Sequence, residues 1–398
     1  MKYCIIVPDG AADRPVPRLE DRTPLAVARK PNMDRAAQEG HLGLTRHVPN
    51  RMPAGSSVAI MSVVGYDPAI EYTGRAPLEA ADLGIEMKLR EWAVRCNLIT
   101  ADDGTLADFT AGHISTEEAG LLIDALNEAL GDGEVSFHLG TGYRHVMMYR
   151  GEESLTAETV PPHDMVGEDI GANLPRGGGG EVLVDLMDRS RDVLAEHDVN
   201  KVRLDLGKNP GNMIWLWGQG TRPTLEPFTE RYGLRGAVIS AVNLVRGIGR
   251  LIGWEVVHVP GATGYTDTDY AAKGRYAVDA LSEYDLVMVH VEAPDEASHD
   301  MDVQAKIRSI EAIDRDIVGP VMALRDEGEE LRVLVVPDHV TCVADGKHKH
   351  DPVPFAMWGA GIGARSGREY SEDEANATDT RVENGHHLIS ELIGHRDR

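Results

Sequence analysis

Residues 286–299 read LVMVHVEAPDEASH, and this stretch decides the fold. Its first part, 286–291, is a mostly apolar run that is typical of a buried β-strand. A carboxylate-rich segment with helical character follows at once. Ligands of parallel sheets bind in the loops beyond the carboxyl ends of the strands. The stretch therefore predicts a strand of such a sheet, with polar side chains gathered at its carboxyl end.

The same alternation of strand and helix continues on both sides of this stretch. The strand-like runs are 237–240, 255–259 and 331–336, and the helical segments are 242–252, 271–281 and 306–324. Strands separated by helices of this length are typical of a mostly parallel sheet covered on both faces. We therefore predict an α/β fold, and the apolar run 2–7 adds a further strand at the start of the chain.

The middle of the chain has a different character. A strand-like run at 92–100, a helical segment at 116–130 and a four-glycine run at 177–180 do not follow the regular alternation. We predict a core built from the two chain ends, residues 1–95 and 221–398. Residues 96–220 would form a smaller inserted α+β domain, a cap or substrate domain.

The composition excludes several classes of function. The 398 residues carry a formal net charge of −25, which repels nucleic acid and anionic membranes. The three cysteines form no CxxC pair, so a disulfide framework or thiolate zinc site is not expected. We find no signal-peptide pattern, and no apolar run reaches the roughly 18 residues that span a bilayer. The predicted location is the cytoplasm.

Carboxylates and histidines recur where predicted strands end. Asp295 and His299 are four residues apart, so one helical turn places both on the same face. Taken alone, this pair is a weak signal, and a helix cap and a surface histidine explain it better. Asp338 and His339 directly follow the next apolar strand, with His348 shortly afterwards. Two successive strand ends that deliver Asp and His are hard to explain by core packing.

Two further residues fit the same site. Asp9 ends the first strand and is followed by Gly10, which permits a tight turn. Ser56 stands between Gly55 and an apolar, helix-like run, where free N–H groups at a helix start stabilise an alkoxide or a phosphate. An ordinary turn and an ordinary helix cap are the alternatives for each residue alone.

The combination is more specific than its parts. Carboxylates and imidazoles are ligands suited to Mn²⁺ or Zn²⁺. A serine between two metal sites loses its proton readily and can attack phosphorus. We therefore predict a metal-dependent phosphoryl-transfer enzyme.

At this point the sequence resembles the archaeal-type, cofactor-independent phosphoglycerate mutases of the alkaline phosphatase superfamily. The resemblance runs nearly end to end, and its specificity comes from many motifs together. They are VPDG at 7–10, GSSVAIMSVVGYDP at 55–68, YTGRAPLEAA at 72–81, RCNLIT at 95–100, AGHISTEEA at 111–119, YRH at 143–145, GATGYTDTDY at 261–270, EAPDEASH at 292–299, PDH at 337–339 and DPVPF at 351–355.

The resemblance implies two divalent metal ions, with Mn²⁺ favoured over Zn²⁺, Co²⁺ or Mg²⁺. It implies Ser56 as the nucleophile that becomes phosphoserine. The implied ligands are Asp9, Ser56, Asp338 and His339 for one ion, and Asp295, His299 and His348 for the other. His348 is preferred to His350 because the family histidine stands three residues before the aspartate of DPVPF.

The implied reaction is the interconversion of 3-phosphoglycerate and 2-phosphoglycerate, small phosphorylated metabolites. Basic residues in family-like motifs would bind the substrate anion, and these are Arg75, Arg95, His113, Arg144, His145 and Lys273. A structural salt bridge is the alternative for each of them. Ser57 and Ile60 depart from the family pattern beside the nucleophile. A homoserine kinase or another phosphotransferase or phosphatase is the alternative activity, and a non-catalytic protein is a third.

Overall fold

The structure is a computed structural model and describes residues 1–363 and 365–394. The chain divides into two compact units. Unit 1 comprises residues 1–72 together with the chain from Leu225 onward, and unit 2 comprises Thr73–Thr224. The two ends of the chain therefore fold together, and unit 2 is inserted between them in sequence.

Helices and strands are numbered in chain order. The strands are β1 (Lys2–Pro8), β2 (His41–Thr45), β3 (Trp92–Asp102), β4 (Thr105–Asp108), β5 (Val135–Thr141), β6 (Arg144–Tyr149), β7 (Met213–Thr221), β8 (Gly236–Ile239), β9 (Glu255–Val256), β10 (Leu286–Val291), β11 (Leu331–Val335), β12 (Val340–Cys342), β13 (Lys347–Lys349), β14 (Val353–Gly359) and β15 (Arg381–Val382). The α-helices are α1 (Pro24–Val27), α2 (Pro31–Glu39), α3 (Ser56–Val63), α4 (Pro68–Glu71), α5 (Ala76–Asp82), α6 (Thr116–Leu130), α7 (Gly180–Ala195), α8 (Asp198–Asp205), α9 (Phe228–Tyr232), α10 (Asn243–Leu251), α11 (Tyr270–Glu283), α12 (Ala293–His299), α13 (Val303–Ile313), α14 (Gly319–Asp326), α15 (Glu372–Asn376) and α16 (Leu388–Ile393).

Unit 1 is built on one large sheet. Its strand order is β15-β2-β14-β11-β1-β10-β8-β9. The central run from β11 to β9 is parallel, and β14 is antiparallel to both of its neighbours. Every residue of β10 is buried, as expected for a strand with helices on both faces. The α/β fold with a mostly parallel sheet is confirmed.

The register of the central strands places the site. Val7 of β1 is level with His290 of β10, and Ile6 is level with Val335 of β11. Because these strands are parallel, their carboxyl ends lie at the same edge of the sheet. The segments that follow them, which begin at Asp9, Glu292 and Val336, are therefore neighbours in space.

The helix predicted over 306–324 is interrupted in the structure. A π-helical turn, Asp314–Val318, joins α13 to α14. Pro320 near the start of α14 has no N–H, and its ring would clash with the carbonyl of Asp316 in a regular helix. Gly274 of α11 packs against that carbonyl, and a Cβ on Gly274 would lie 1.9 Å from the Asp316 oxygen. Widening the turn accommodates the proline, which is a common cause of π-turns and kinks.

Unit 2 has an antiparallel sheet of order β4-β3-β6-β5, with β7 paired to β3. Helices α6 and α7 contribute buried leucines to its apolar core. The sequence placed the first boundary after residue 95, whereas the structure divides the chain between Tyr72 and Thr73. Strand β3 pairs with β6 from Trp92 onward, so a boundary at residue 95 would cut through a continuous strand.

No helix among the described residues has the length and apolar character to cross a membrane.

Candidate active site

Asp9, Asp338 and His339 form a buried group at the carboxyl ends of β1 and β11. His339 Nε2 lies 3.5 Å from Asp9 Oδ1 and 3.3 Å from Asp338 Oδ2. The backbone N–H groups of Gly10 and His339 donate to Asp338 Oδ1, at 3.2 and 2.9 Å. These bonds fix the Asp338 carboxylate and leave its other oxygen directed toward the histidine.

Ser56 lies beside this group. It is the first residue of α3, and its Oγ is 3.2 Å from both Asp9 Oδ2 and His339 Nε2. Helix α3 is apolar, and every residue after Ser56 is buried. The packing of α3 therefore fixes the serine at the helix start, where the N-terminal N–H groups favour an anion.

Asp295, His299 and His348 form a second group. Asp295 and His299 lie one turn apart on α12, with Asp295 Oδ2 3.1 Å from His299 Nε2. His348 comes from β13, and its Nε2 lies 3.4 Å from Asp295 Oδ1 and 3.1 Å from His299 Nε2. Two imidazole nitrogens and a carboxylate thus converge on one point.

The partners of the other ring nitrogens define how each histidine faces its group. His299 Nδ1 donates to the Gly346 carbonyl at 2.8 Å, and His348 Nδ1 donates to the Ala54 carbonyl at 3.1 Å. Burial lowers the pKa of His299, but the hydrogen bond from its Nε2 to Asp295 outweighs burial and raises that pKa to about 9. Once the Nε2 hydrogens are released, both rings offer a lone pair toward the same point, which favours a cation between them.

Thr341 connects the two groups. Its hydroxyl donates to Asp295 Oδ1 and lies 3.1 Å from His339 Nδ1. Because that hydroxyl hydrogen is used on the carboxylate, the threonine oxygen accepts from the His339 Nδ1–H. The Nε2 atom of His339 then presents a lone pair to Asp9, Asp338 and Ser56.

Buried oxygens without partners test whether these residues fit metal ions. Within the described part of the chain, Asp9 Oδ1 and Asp338 Oδ2 are buried and accept no hydrogen bond. An ionised carboxylate oxygen left unpaired in the interior is costly. Oxygen and imidazole donors in two groups, each within reach of one ion, fit divalent cations of the Mn²⁺ or Zn²⁺ type.

The pKa values of the metal-free protein point the same way. Burial and the charge of Asp338 raise the pKa of Asp9 well above its usual range. Burial would also raise the pKa of Asp295, but hydrogen bonds from His299 and His348 hold it well below that range. Burial lowers the pKa of His339 to about 4, so this ring is neutral at pH 7. An Asp9 that holds a proton must release it when a cation binds.

Three further residues lie near the first group: His290 and Glu292, which the sequence did not single out as site residues, and Lys273, which it predicted as a substrate-binding residue. His290, in the middle of an apolar strand, is fully buried, and its Nε2 lies 2.8 Å from Asp9 Oδ2. Glu292 directly follows that strand, and burial raises its pKa to about 8. Lys273 Nζ donates to the His290 carbonyl at 3.3 Å. A histidine inside an apolar strand and a glutamate at its end were the available signals for the first two.

Arg75 and Arg95 belong to unit 2, where they share the carboxylate of Glu79. Arg95 is 3% exposed, and its guanidinium lies 4.3 Å from the Trp217 ring centre. Its Nε is 2.9 Å from Glu79 Oε2, but the N–H direction makes this an ion pair and no hydrogen bond. Burial lowers the pKa of Arg95 to about 9 even though Glu79 opposes the shift. This geometry fits a structural pair for Arg95, while the half-buried Arg75 retains an accessible charge.

The other basic residues predicted to bind substrate differ in exposure. His113 and Arg144 are exposed, and Arg144 stacks on Tyr143 at 5.0 Å. His145 is buried in the unit 2 sheet, and burial lowers its pKa to about 3. A buried neutral ring cannot supply positive charge to an anion at pH 7. Its geometry therefore favours a structural role, whereas exposed Arg144 can still meet a ligand.

His145 should make the folded protein sensitive to acid. Its pKa is about 3 in the folded state and about 6.5 in an unfolded chain. Below pH 6.5 the unfolded chain binds a proton that the folded chain does not, so the free energy of unfolding falls by roughly 1.4 kcal/mol per pH unit from this group. His145→Asn keeps an acceptor for the Gly140 N–H and does not titrate.

We therefore expect a shallower loss of stability in His145→Asn than in the wild type between pH 6.5 and 4.5. Urea unfolding followed by circular dichroism measures the difference. His113→Asn is the matched control, because it makes the same substitution at an exposed ring of the same unit. Parallel acid profiles for wild type and His145→Asn would contradict the assignment.

Comparison with known proteins places the chain among similar sequences. Residues 37–200 match the family model described as 2,3-bisphosphoglycerate-independent phosphoglycerate mutase. The chain is 51% identical over 374 residues to 2,3-bisphosphoglycerate-independent phosphoglycerate mutase 2 of Methanothermobacter thermautotrophicus, covering 94% of this chain and 92% of that protein. It is 47% identical over 394 residues to the 2,3-bisphosphoglycerate-independent phosphoglycerate mutase of Methanothrix thermoacetophila. That match covers 99% of this chain and 100% of that protein.

Solved structures show the same fold. A protein from Pyrococcus horikoshii matches with a TM-score of 0.82 at 28% identity, covering 100% of this chain and 98% of that one. The cofactor-independent phosphoglycerate mutase of Thermoplasma acidophilum matches with a TM-score of 0.66 at 28% identity, covering 99% of both chains. The sequence identities over nearly the whole chain decide the relationship, and the chain belongs to the 2,3-bisphosphoglycerate-independent phosphoglycerate mutase family.

Proposed function

We propose that this protein interconverts 3-phosphoglycerate and 2-phosphoglycerate by way of a phosphoserine at Ser56. The observation that carries the proposal is the position of Ser56 Oγ, 3.2 Å from both Asp9 Oδ2 and His339 Nε2. A hydroxyl at a helix start, facing a carboxylate and an imidazole lone pair, is placed to lose its proton and attack phosphorus. The names of the relatives support phosphoglycerate as the substrate.

Two divalent cations fit the two groups of donors, and we propose Mn²⁺ as the metal. The first group is Asp9, Ser56, Asp338 and His339, and the second is Asp295, His299 and His348. Metal ions bound there would lower the pKa of the serine hydroxyl and neutralise charge on the phosphoryl oxygens. The donors lie just beyond the carboxyl ends of β1 and β11 and on α3, α12 and β13, so regular elements fix their positions.

In the proposed reaction Ser56 takes the phosphoryl group in the first half and returns it in the second. Ser56 Oγ gives up its proton and bonds to phosphorus as the bond from phosphorus to the 3-oxygen breaks, and that oxygen takes a proton to give glycerate. The 2-hydroxyl of glycerate then loses a proton and bonds to the same phosphorus as the bond from phosphorus to Ser56 Oγ breaks, and Oγ takes a proton to restore Ser56. The net result is an isomerisation, and no nucleotide or water is consumed.

Charge around the site must compensate for the acidic protein. With a formal net charge of −25, the protein repels a phosphorylated metabolite at long range. Lys273 is 1% exposed and lies beside β10, and burial lowers the pKa of its ammonium to about 8. We propose Arg75 and Arg144 as the first substrate-binding candidates to test, and Lys273 as a buried positive charge that acts without touching the substrate. Their positive charge would favour a small dianion with a carboxylate.

The homoserine kinase alternative uses the same nucleophile but requires a nucleotide. The sequence has no P-loop, and the glycines at 177–180 lack the following Lys-Ser or Lys-Thr. In the structure this run leads into α7, with Gly179 in the left-handed region at φ 72°. The glycines therefore serve a helix start, and this weakens the kinase alternative.

The activity test uses two reactions with the purified protein and Mn²⁺. The first contains 3-phosphoglycerate without nucleotide, and the second contains homoserine with ATP; products are identified by phosphorus NMR. We expect 2-phosphoglycerate in the first and no phosphohomoserine in the second. Product only in the second reaction would replace the mutase with the kinase. Free phosphate as the sole product of the first would make the protein a phosphatase.

The cellular location is the remaining part of the proposal. All three cysteines, Cys4, Cys96 and Cys342, are buried and free. Unpaired thiols fit the reducing cytoplasm, where phosphoglycerates are also metabolised. We therefore propose a cytoplasmic enzyme.

A further inference from the structure

A row of hydrogen-bonded side chains runs across the carboxyl ends of three neighbouring strands, β8, β10 and β1, and ends at Asp9. In the parallel part of the sheet β10 lies between β1 and β8, and Val289 of β10 is level with Ile239 of β8. The residue after Val289 is His290, which is still on β10, and the residue after Ile239 is Ser240, just beyond β8. Their side chains meet, with Ser240 Oγ 3.1 Å from His290 Nδ1, and His290 Nε2 is 2.8 Å from Asp9 Oδ2.

The hydrogens in this row can be assigned from the partners. Asp9 is ionised once a cation binds and then only accepts, so the hydrogen between it and the ring is on His290 Nε2. Nδ1 of a neutral ring then accepts from the Ser240 hydroxyl. The serine oxygen accepts in turn from the Val242 N–H at 3.0 Å. Each member of the row therefore has a partner on both sides, and the ring has one orientation.

The consequence falls on the two oxygens of Asp9. Oδ2 accepts from His290 and from Ser56, at 2.8 and 3.2 Å. Oδ1 is buried and has no hydrogen-bond partner, and it lies 3.5 Å from His339 Nε2. The bond from His290 thus pins one oxygen and leaves the other facing the donors of the first group. Partners of this kind commonly orient metal ligands.

We propose that Ser240 and His290 are positioning residues that hold Asp9 so that its free Oδ1 can bind a divalent cation. The proposal rests on the metal role assigned to Asp9 under the proposed function. It gives a specific task to two residues that the sequence did not single out. Neither touches the substrate in this scheme, and both act through Asp9.

A competing interpretation treats His290 as a metal ligand itself. Donor atoms of Asp9, His290 and Glu292 lie within 4.8 Å of one another, close enough for a third ion. The Lys273 ammonium already lies 3.3 Å from the His290 carbonyl. The charge of Lys273 also contributes to lowering the pKa of the His290 ring, so it opposes a further positive charge there and favours the hydrogen-bonding role. The two interpretations differ in the number of ions that a His290 variant loses.

The test measures Mn²⁺ binding to the metal-free full-length protein, by titration calorimetry and by electron paramagnetic resonance of free Mn²⁺. His290→Leu removes the donor, and His290→Gln replaces it with an amide N–H that reaches a similar position. We expect His290→Leu to weaken one of two sites by about 10- to 100-fold and to leave the other unchanged. The Mn²⁺ affinity of the glutamine variant should be within about threefold of the wild-type value. The affinity of Ser240→Ala should lie between those of the two His290 variants.

A matched control is His138→Leu in unit 2. His138 is also bonded to a serine, with its Nε2 3.0 Å from Ser136 Oγ, and it lies on β5. It should leave both Mn²⁺ affinities unchanged. Should His290→Leu fail to fold, Ser240→Ala removes only a hydroxyl and must still weaken the same site.

Other outcomes overturn the proposal. Unchanged affinity in His290→Leu, or a glutamine variant as weak as the leucine variant, would remove the positioning role. Loss of a third equivalent of Mn²⁺ would make His290 a ligand. Asp9→Asn distinguishes failure of the positioning role from failure of the metal centre. If Asp9→Asn weakens one site and His290→Leu does not, only the positioning role is wrong. If Asp9→Asn also binds two ions normally, the proposed metal centre is wrong.

Discussion

Ser56→Ala is expected to abolish the interconversion of the two phosphoglycerates. Ser56 Oγ faces Asp9 Oδ2 and His339 Nε2, and the described residues offer no other hydroxyl so placed between them. Removing the nucleophile of a covalent mechanism lowers kcat on the order of 10⁴- to 10⁶-fold. The protein should remain folded, because Ser56 is only half-buried and the apolar residues of α3 are untouched. Phosphorus NMR measures the rate, and mass spectrometry of the wild type during turnover should find phosphate on Ser56.

Ser57→Ala is the matched control for this experiment. Ser57 is the next residue of the same helix, but its Oγ faces the Tyr72 hydroxyl at 3.3 Å. The variant should retain activity and carry phosphate on Ser56. Phosphate on Ser57 in the wild type, or full activity in Ser56→Ala, would refute the assignment of the nucleophile. Because Ser57 departs from the family pattern, its variant also tests whether that departure matters.

Much of the candidate site could be predicted because its residues follow strand ends. Asp9, Asp295 and Asp338 each follow an apolar run, and the parallel sheet brings such ends to one edge. The spacing of Asp295 and His299 equals one helical turn, and the structure places both on α12. For these residues, the local sequence pattern is enough to predict their position at the edge of the sheet.

The remaining features depend on contacts between distant parts of the chain. His290 looks like an ordinary member of an apolar strand until β1 and β8 are placed beside it. Thr341 connects the two groups only because the fold brings β12 to α12, where its hydroxyl donates to Asp295 Oδ1. Likewise, the burial of Arg95 and His145 follows from β3 pairing with β6. Sequence patterns within one element do not report which strands become neighbours.

The second large effect concerns the metal ions. The two groups draw on different residues, so each should be weakened separately. His299→Ala removes an imidazole whose Nε2 lies 3.1 Å from Asp295 Oδ2, and Asp338→Asn removes a carboxylate whose Oδ2 is buried without a partner. Loss of a direct ligand should exceed the 10- to 100-fold effect of an outer partner, so we expect about one ion per chain in each variant, compared with about two in the wild type.

Elemental analysis after equilibration with limiting Mn²⁺ measures the occupancy. His350→Ala is the control, because His350 stands two residues after His348 but its Nε2 bonds to the Met52 carbonyl at 2.8 Å. It should retain the metal content of the wild type. If His299→Ala and Asp338→Asn each lose both ions, Thr341 and the shared edge of the sheet couple the sites into one cooperative centre. Full occupancy in both variants would instead show that neither residue binds metal, and the two-ion centre would have to be abandoned.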